Sequence, residues 1–305
     1  MEAFAILWQH GEMINLGTLG GNQSAAFWIN NKGQVGGIAA NSILDPFSLA
    51  GFGTQTRTFL WEKGVMRDLG TLGGPDSFGG GVNDRGQVVG VSYTDSTPNG
   101  STGIPTIHPF LWENGRMLDL GSLGGTLGEP FDLNERGDVV GDMTLAGDEF
   151  AHPFLWSDGT LTDLGTFGGD NGRATGVNNA GEVVGVADLP DGSHNAFLWK
   201  KGVMTDLGNL GTTSYAHSIN SRGQVVGGSR ISRVPSRGSA FLWEKGGPMI
   251  DLNTLIPAGS SLHLATATHI SDSGEIVGIG APPGVGNDDV ETLGHAFLLI
   301  PVGQE

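Results

Sequence analysis

Apolar residues along the chain come in runs of four to six, broken by glycine, asparagine and aspartate. The pattern is clearest between His152 and Gly185. Pro153–Trp156 forms a first piece, a, closed by Ser157-Asp158-Gly159, and Leu161–Leu164 forms a second, b, followed by Gly165-Thr166-Phe167-Gly168-Gly169. Ala174–Val177, c, runs into Asn178-Asn179-Ala180-Gly181, and Glu182–Val186, d, ends the unit. Short pieces of this composition between turn residues are strands, not helices. Glycine at the end of each short polar loop supplies the positive φ of a type I turn with a bulge, and a leading Asn can bond its own backbone two residues on. The pattern therefore predicts two hairpins, a–b and c–d.

This unit recurs. Trp8, Trp61, Trp112, Trp156, Trp199 and Trp243 each precede a turn glycine, with separations of 53, 51, 44, 43 and 44 residues. A b signature follows every one, as at Asp68-Leu69-Gly70 or Asp206-Leu207-Gly208, and then a c–d hairpin such as Asn83…Gly86-Gln87-Val88. Four strands per roughly 40–45 residues is the arithmetic of a propeller blade. The prediction is an all-β chain: a single six-bladed β-propeller of four-stranded antiparallel blades, with a seven-bladed or irregularly closed propeller as the alternative. One domain spans 1–305, with blades near 24–72, 77–123, 129–167, 173–210 and 214–255, and a sixth at 264–300 closed with 1–18. Phe297–Ile300 reads as a terminal a strand. It competes with the N-terminal a strand for one slot, and the expectation is that the N-terminal b strand completes the last blade.

The recurring H-A-F-L-W…DLGTLGG…IN…GQVVG pattern resembles the HAF repeat, an extracellular repeat of bacteria. The literal triplet stands at His295-Ala296-Phe297, with near-matches at His108-Pro109-Phe110, His152-Pro153-Phe154 and Asn195-Ala196-Phe197. The resemblance covers essentially the whole chain. It implies a repeat fold and a secreted or cell-envelope location, and no particular reaction.

Charge narrows the partners. Fifteen basic against 32 acidic residues give −17, which argues against nucleic acid and anionic membranes and suits solubility, a cationic partner or Ca²⁺. There is no cysteine, so disulfides say nothing about compartment. Met1-Glu2-Ala3-Phe4 carries no basic segment or long apolar run, so no signal peptide is expected there, and no apolar stretch is long enough to span a membrane. The chain is expected to be a monomer.

The insertions concentrate in the d→a loops, Ala39–Thr56, Tyr93–Ile107, Ser229–Ser239 and Gly280–Leu293. With c innermost, these loops share one face with the b→c crossings, and variable loops on a rigid scaffold are where binding tends to sit. Aligned on their Asn, the inner strands place Glu129, Asp132, Arg173, Tyr215, His217 and His269 near that mouth. Paired carboxylates with Arg, Tyr and His would suit glycoside cleavage or β-elimination. Trp28, out of register beside Phe27, is a candidate sugar platform, and Phe78, Asp76 and Asn171 join it as candidate ligand-binding residues. The six repeated tryptophans are expected in the inter-blade core, and His108, His152 and His295 are expected to bond backbone. Asn287-Asp288-Asp289…Glu291 and Asp170-Asn171 are oxygen-rich loops compatible with Ca²⁺, though a solvated loop is the simpler reading. No metal site and no other cofactor is assigned, since no GxSxG, HExxH, Walker or dinucleotide motif occurs. The leading function is a secreted scaffold recognising carbohydrate or a surface protein. The alternative is a polysaccharide hydrolase or lyase at the channel mouth.

Overall fold

A computed structural model describes residues 2–232, 237–282, 285 and 293–302. The chain divides into two compact units, residues 1–151 with 155–162, and residues 152–154 with 163–305.

The first unit opens with a hairpin of β1 (Ile6–Gln9) and β2 (Glu12–Asn15), which forms a two-stranded sheet. A four-stranded antiparallel sheet follows: β3 (Ser24–Ile29), β4 (Val35–Leu44), β5 (Thr54–Glu62) and β6 (Val65–Asp68), paired in chain order. The next repeats it as β7 (Ser77–Val82), β8 (Val88–Tyr93), β9 (Ile107–Glu113) and β10 (Arg116–Asp119). The third sheet holds β11 (Gly124–Leu133), β12 (Val139–Leu145), β13 (Ala151–Ser157) and β14 (Thr160–Asp163).

In the second unit, β15 (Gly172–Val177), β16 (Val183–Asp188), β17 (His194–Lys200) and β18 (Val203–Asp206) form one sheet. The next comprises β19 (Thr213–Ile219), β20 (Val225–Ser232), β21 (Arg237–Trp243) and β22 (Ile250–Asp251). The last has three strands, β23 (His263–Ile270), β24 (Ile276–Ala281) and β25 (His295–Leu299). Each four-stranded sheet is ordered c-d-a-b. The N-terminal a and b strands pair with each other in a sheet of their own. The C-terminal strand takes the a position in register, with Gly278 opposite Phe297, and no described b strand follows it.

The a–b turns also differ from the expected type. Glu62 pairs directly with Val65, leaving the two-residue loop Lys63-Gly64, whose φ values are 51° and 86°. Two positive φ values make this a type I′ turn, which matches the twist of the flanking strands. The c–d turns keep the expected geometry, with Gly33 at φ 74° and its N–H donating to Asn30 O. Part of the Ala39–Thr56 insertion is strand: β4 and β5 lengthen and leave only 45–53 as a loop.

The cores lie between consecutive sheets. Leu60 and Leu69 pack with Val88, Phe110 and Trp112 in the first unit, and Val184, Ala196 and Leu207 pack with Ala216, Phe241 and Trp243 in the second. Phe59, Phe110, Phe154, Phe197 and Phe241 are fully buried, each worth about 2–3 kcal/mol. The tryptophans are more peripheral. Trp61, Trp112 and Trp243 are buried, Trp156 and Trp199 half-buried, and Trp8 on the N-terminal hairpin is 66% exposed.

Two devices explain the repeated letters. Asn83 Nδ2 donates to Gln87 Oε1 of its own turn and to Asn134 O of the next sheet at 2.9 Å, while its Oδ1 accepts from Arg85 N and Gln87 N. Asn30 reaches Asn83 O in the same way, and in the second unit Asn178 reaches Asn220 O and Asn220 reaches Ser271 O. The second device is a β-bulge in every inner strand, where the register slips at Ala26/Trp28, Gly79/Gly81, Pro130/Asp132, Ala174/Gly176, Ala216/Ser218 and Ala267/His269. The bulge drives an inner-strand carbonyl against strand d. There a Cβ on Gly37 would lie 2.1 Å from Ala25 O and 2.9 Å from Phe59 Cζ, and one on Gly185 2.0 Å from Arg173 O. Only glycine fits.

A third coupling joins strand a to the following inner strand. Ala5 N, Thr58 N and Ala196 N donate to the hydroxyls of Ser24, Ser77 and Ser214, which in turn donate to Gly17 O, Gly70 O and Gly208 O. Pro109 and Pro153 have no N–H to offer. Opposite them stand Gly128 and Gly172, where a Cβ would lie 2.7 Å and 2.9 Å from the proline Cδ.

Gly37→Ala is expected to cost about 3 kcal/mol or more, because the clash is with backbone, whereas Gly36→Ala meets only Val82 at 3.8 Å and should stay within about 1 kcal/mol. Chemical denaturation of the two variants checks this. The same measurement on Asn83→Ala should show a loss of about 3 kcal/mol, since it strands buried polar groups on two sheets.

Candidate functional site

The first strands of successive sheets pack beside one another, β3 with β7 and β7 with β11 in the first unit, β15 with β19 and β19 with β23 in the second. These inner strands carry the candidate residues. The bulge sets their aim: it inserts one residue, so side chains on either side of it no longer simply alternate. Residues just after the slip's first member are the extra ones, namely Phe27, Gly80, Phe131, Thr175, His217 and Thr268.

In the first unit, Trp28 and Phe78 are brought together through Phe27. The Phe27 ring stacks on Phe78 with centroids 5.8 Å apart and planes at 17°, and meets Trp28 edge-on at 5.0 Å. Phe27 is 49% exposed, while Trp28 and Phe78 are half-buried. Asp76 is not at the surface. It is fully buried and accepts from Leu49 N at 2.7 Å and Thr56 N at 2.9 Å, which ties the 45–53 loop to the start of β7. Burial above all, and then the neighbouring Asp45, push its pKa up to about 7.

Glu129 and Asp132 lie on β11. Asp132 Oδ1 accepts from Leu133 N, and Glu129 stands directly opposite Asp142 of β12. Directly opposed residues share a face of the sheet. Both carboxylates line a pocket of about 460 Å³ whose other walls include Val91, Ile104, Ile107 and Leu127. Asp142 was not flagged from sequence, although it is the single charged residue at a position that holds Ile38, Val91, Val186, Gly228 and Ile279 elsewhere. A second pocket of about 450 Å³ lies at the tight-turn end, where Lys63, Arg67 and Arg85 join Trp112. Arg85 pairs with Glu113 at 3.1 Å and Lys63 with Glu62 at 3.5 Å.

Arg173, Tyr215, His217 and His269 belong to the second unit. Tyr215 is 41% exposed and packs against His194, ring centroids 4.4 Å apart, with Arg230 and Asp188 close enough to act on both. Burial raises the Tyr215 pKa and lowers that of His194, whose Nε2 is buried without a hydrogen-bond partner. Asn171 N donates to the Asp188 carboxylate at 3.1 Å. His217 keeps a solvent-facing surface yet is crowded by protein, which holds its imidazole below the ordinary histidine range and neutral. Its neighbour Ser218 bridges to His269 Nδ1 at 3.3 Å and accepts from Ile270 N at 3.4 Å. Arg173 is exposed on β15 opposite Val186.

His108 and His152 correct the expectation of backbone bonding. Their Nδ1 atoms meet the carboxylates of Asp119 and Asp163 at 2.9–3.0 Å, and those aspartates also accept from Gly121 N and Gly165 N. Burial works against the Asp119 charge, but the bonds from His108 and Gly121 outweigh it and hold its pKa below the usual carboxylate value. These pairs are joints of the repeat. Among the described residues no group of three or more His, Cys, Asp or Glu is arranged to hold a metal ion; Asn287, Asp288, Asp289 and Glu291 lie outside the described residues. No helix among the described residues is long and apolar enough to cross a membrane.

No family model matches the chain, and no curated protein matches its sequence. Among solved structures it is similar to the β-propeller domain of the Trilobed protease from Pyrococcus furiosus, which is reported to have an open velcro topology. That likeness has a TM-score of 0.54 at 8% identity, over 94% of this chain and 82% of that one. It also matches a Mycobacterium tuberculosis puromycin-hydrolyzing peptidase, with TM-score 0.47 at 12% identity over 79% of this chain and 40% of that one. The Aleuria aurantia lectin matches at TM-score 0.33 and 12% identity, over 77% and 81% of the two chains. The sheet order found here and the first of these likenesses agree: the chain has the β-propeller fold.

Proposed function

We propose that this chain is a secreted or cell-envelope binding scaffold of the HAF-repeat kind that holds carbohydrate on its inner strands. The observation that carries the reading is the Phe27–Trp28–Phe78 cluster, three rings gathered on β3 and β7 with Phe27 half open to solvent. A pyranose presents an apolar C–H face that such a ring can cover while its hydroxyls stay in water. Large amphipathic contact area at low entropic cost is what makes aromatic anchors effective. A surface protein partner is the less economical reading, because the platform is small and set on inner strands.

A second reading rests on Glu129 and Asp142. Opposed residues on neighbouring strands have Cβ atoms about 4.5–5.5 Å apart. Glycoside cleavage needs two carboxyl groups facing one glycosidic bond, and this pair shares one face and one pocket. The apolar walls of Val91, Ile104 and Ile107 would shelter such a pair. This supports a polysaccharide hydrolase or lyase as the alternative.

A glycan array is expected to show binding by the wild type, and Phe27→Ala is expected to weaken the best glycan about tenfold or more, roughly 1.4 kcal/mol, with no change in melting temperature. An array without binders, or a Phe27→Ala variant that binds as well as wild type, overturns the reading. For the alternative, incubation with a polysaccharide panel should release reducing ends or unsaturated product, and Glu129→Gln should reduce the rate at least about a hundredfold. Absence of product from the wild type removes the enzymatic reading and leaves the binding reading standing.

A further inference from the structure

The chain carries 32 acidic residues against 15 basic, yet one cleft reverses that balance. It lies at the tight-turn end of the first two four-stranded sheets, the end away from the 45–53 loop. Its volume is about 450 Å³, and Lys63, Arg67 and Arg85 line it against one carboxylate, Glu62, among the described residues. That volume is in the range of small-ligand sites. Leu60, Val65 and Trp112 supply apolar wall between the charges.

The three cations are held differently. Arg85 is fixed by the fold: its Nη1 donates to Arg136 O at 2.9 Å and its Nη2 to the Glu113 carboxylate at 3.1 Å. Lys63 reaches only Glu62, at 3.5 Å, and its side chain is 88% exposed, so water weakens the pair. Arg67 on β6 stands directly opposite Leu60, and so shares the face that Leu60 packs against Val88, Phe110 and Trp112 of the next sheet. Its side chain is exposed and meets no carboxylate among the described residues. The repeat does not ask for an arginine there. The other b strands hold Ile14, Leu118, Thr162, Thr205 and Ile250 at the same position.

A guanidinium that breaks the repeat, has no partner in the fold and lines a cleft with two further cations has an anion as its natural complement. We propose that this cleft binds the carboxylate of an acidic sugar. The planar fork of Arg67 grips the carboxylate through two N–H groups, a geometry that a lysine cannot offer. Lys63 adds its charge at the rim, and the apolar face of the ring lies on Leu60, Val65 and the Trp112 edge. The carboxylate is read from the cleft itself; the sugar body rests on the carbohydrate reading above. The net charge of −17 works against a long polyanion, so the ligand is a single acidic residue or a short oligomer. The cleft is formed by β5, β6, β9 and the turn before β8, whereas the aromatic platform belongs to β3 and β7.

The test is calorimetric titration of the full chain with trigalacturonate and with its neutral methyl ester. The wild type should bind the acid at least about tenfold more tightly than the ester, and rising sodium chloride should erode that difference. Arg67→Leu installs the residue that the next sheet carries at this place, Leu118, which is itself 48% exposed. That variant should therefore melt with the wild type and bind the acid no better than the ester. Equal affinity of the wild type for acid and ester, or undiminished acid binding by Arg67→Leu, overturns the proposal. Displacement of trigalacturonate by equimolar sulfate or phosphate also overturns it, since the cleft is then a plain anion site. A glycan array silent on neutral sugars removes the aromatic platform without touching the acid–ester comparison, so the two readings fail separately.

Discussion

An asparagine amide, present in five of the six repeats and replaced by Ser271 in the last, carries a disproportionate share of this architecture. Its carbonyl oxygen closes its own c–d turn, and its amide group reaches across to the backbone carbonyl of the next turn, as Asn83 does to Asn134 and Asn178 does to Asn220. Buried polar groups are costly unless bonded, and this one side chain satisfies donors and acceptors on two sheets at once. A Gln, Asp or Glu four residues on accepts the remaining amide hydrogen, which is why Gln87, Asp138 and Glu182 are interchangeable at a buried position. Where that residue is Glu182, burial alone would raise its pKa, but bonds from Lys200 and Asn178 hold it low. Apolar burial stacks the sheets; the amide fixes their register.

The bulge works with that joint. It turns a strand of alternating sides into one that buries Ala174 and Val177 while presenting Arg173 and Thr175, and it demands glycine opposite. The variable, chemistry-bearing side chains and the invariant glycine thus have one cause. Diversity at Phe27, Phe131, His217 and Thr268 is tolerated because these are the residues the bulge leaves out of the pairing.

Much of this could be read from the chain beforehand, because the strands, their order and the tight turns are written by local chemistry repeated six times. The period-two alternation could not show the bulge, since an extra residue looks like an irregular strand. That hid the role of Phe27, although Trp28 and Phe78 stood out by breaking the repeat. Asp142 escaped because it belongs to strand d and reaches the pocket only through cross-strand pairing with Glu129. Asp76 stood as a candidate ligand-binding residue; its burial goes with the 45–53 loop, which no repeat predicts. His108 and His152 were legible as parts of the repeat, but their partners eleven residues on were visible only once the a–b hairpin was folded.

The pairing of proline with glycine bears on how such a chain grows. Pro109 requires Gly128, and Ala196 is served by Ser214, so each joint is encoded partly in strand a and partly in the inner strand that follows it. A duplicated segment running from one strand a through the next strand d carries both halves of a joint together. A segment cut at the edges of a sheet separates them and sets a serine hydroxyl against a proline ring, or leaves an amide facing glycine. The heritable module of this protein is therefore the seam between two blades, and the blade visible in the fold is what two neighbouring modules make where they meet.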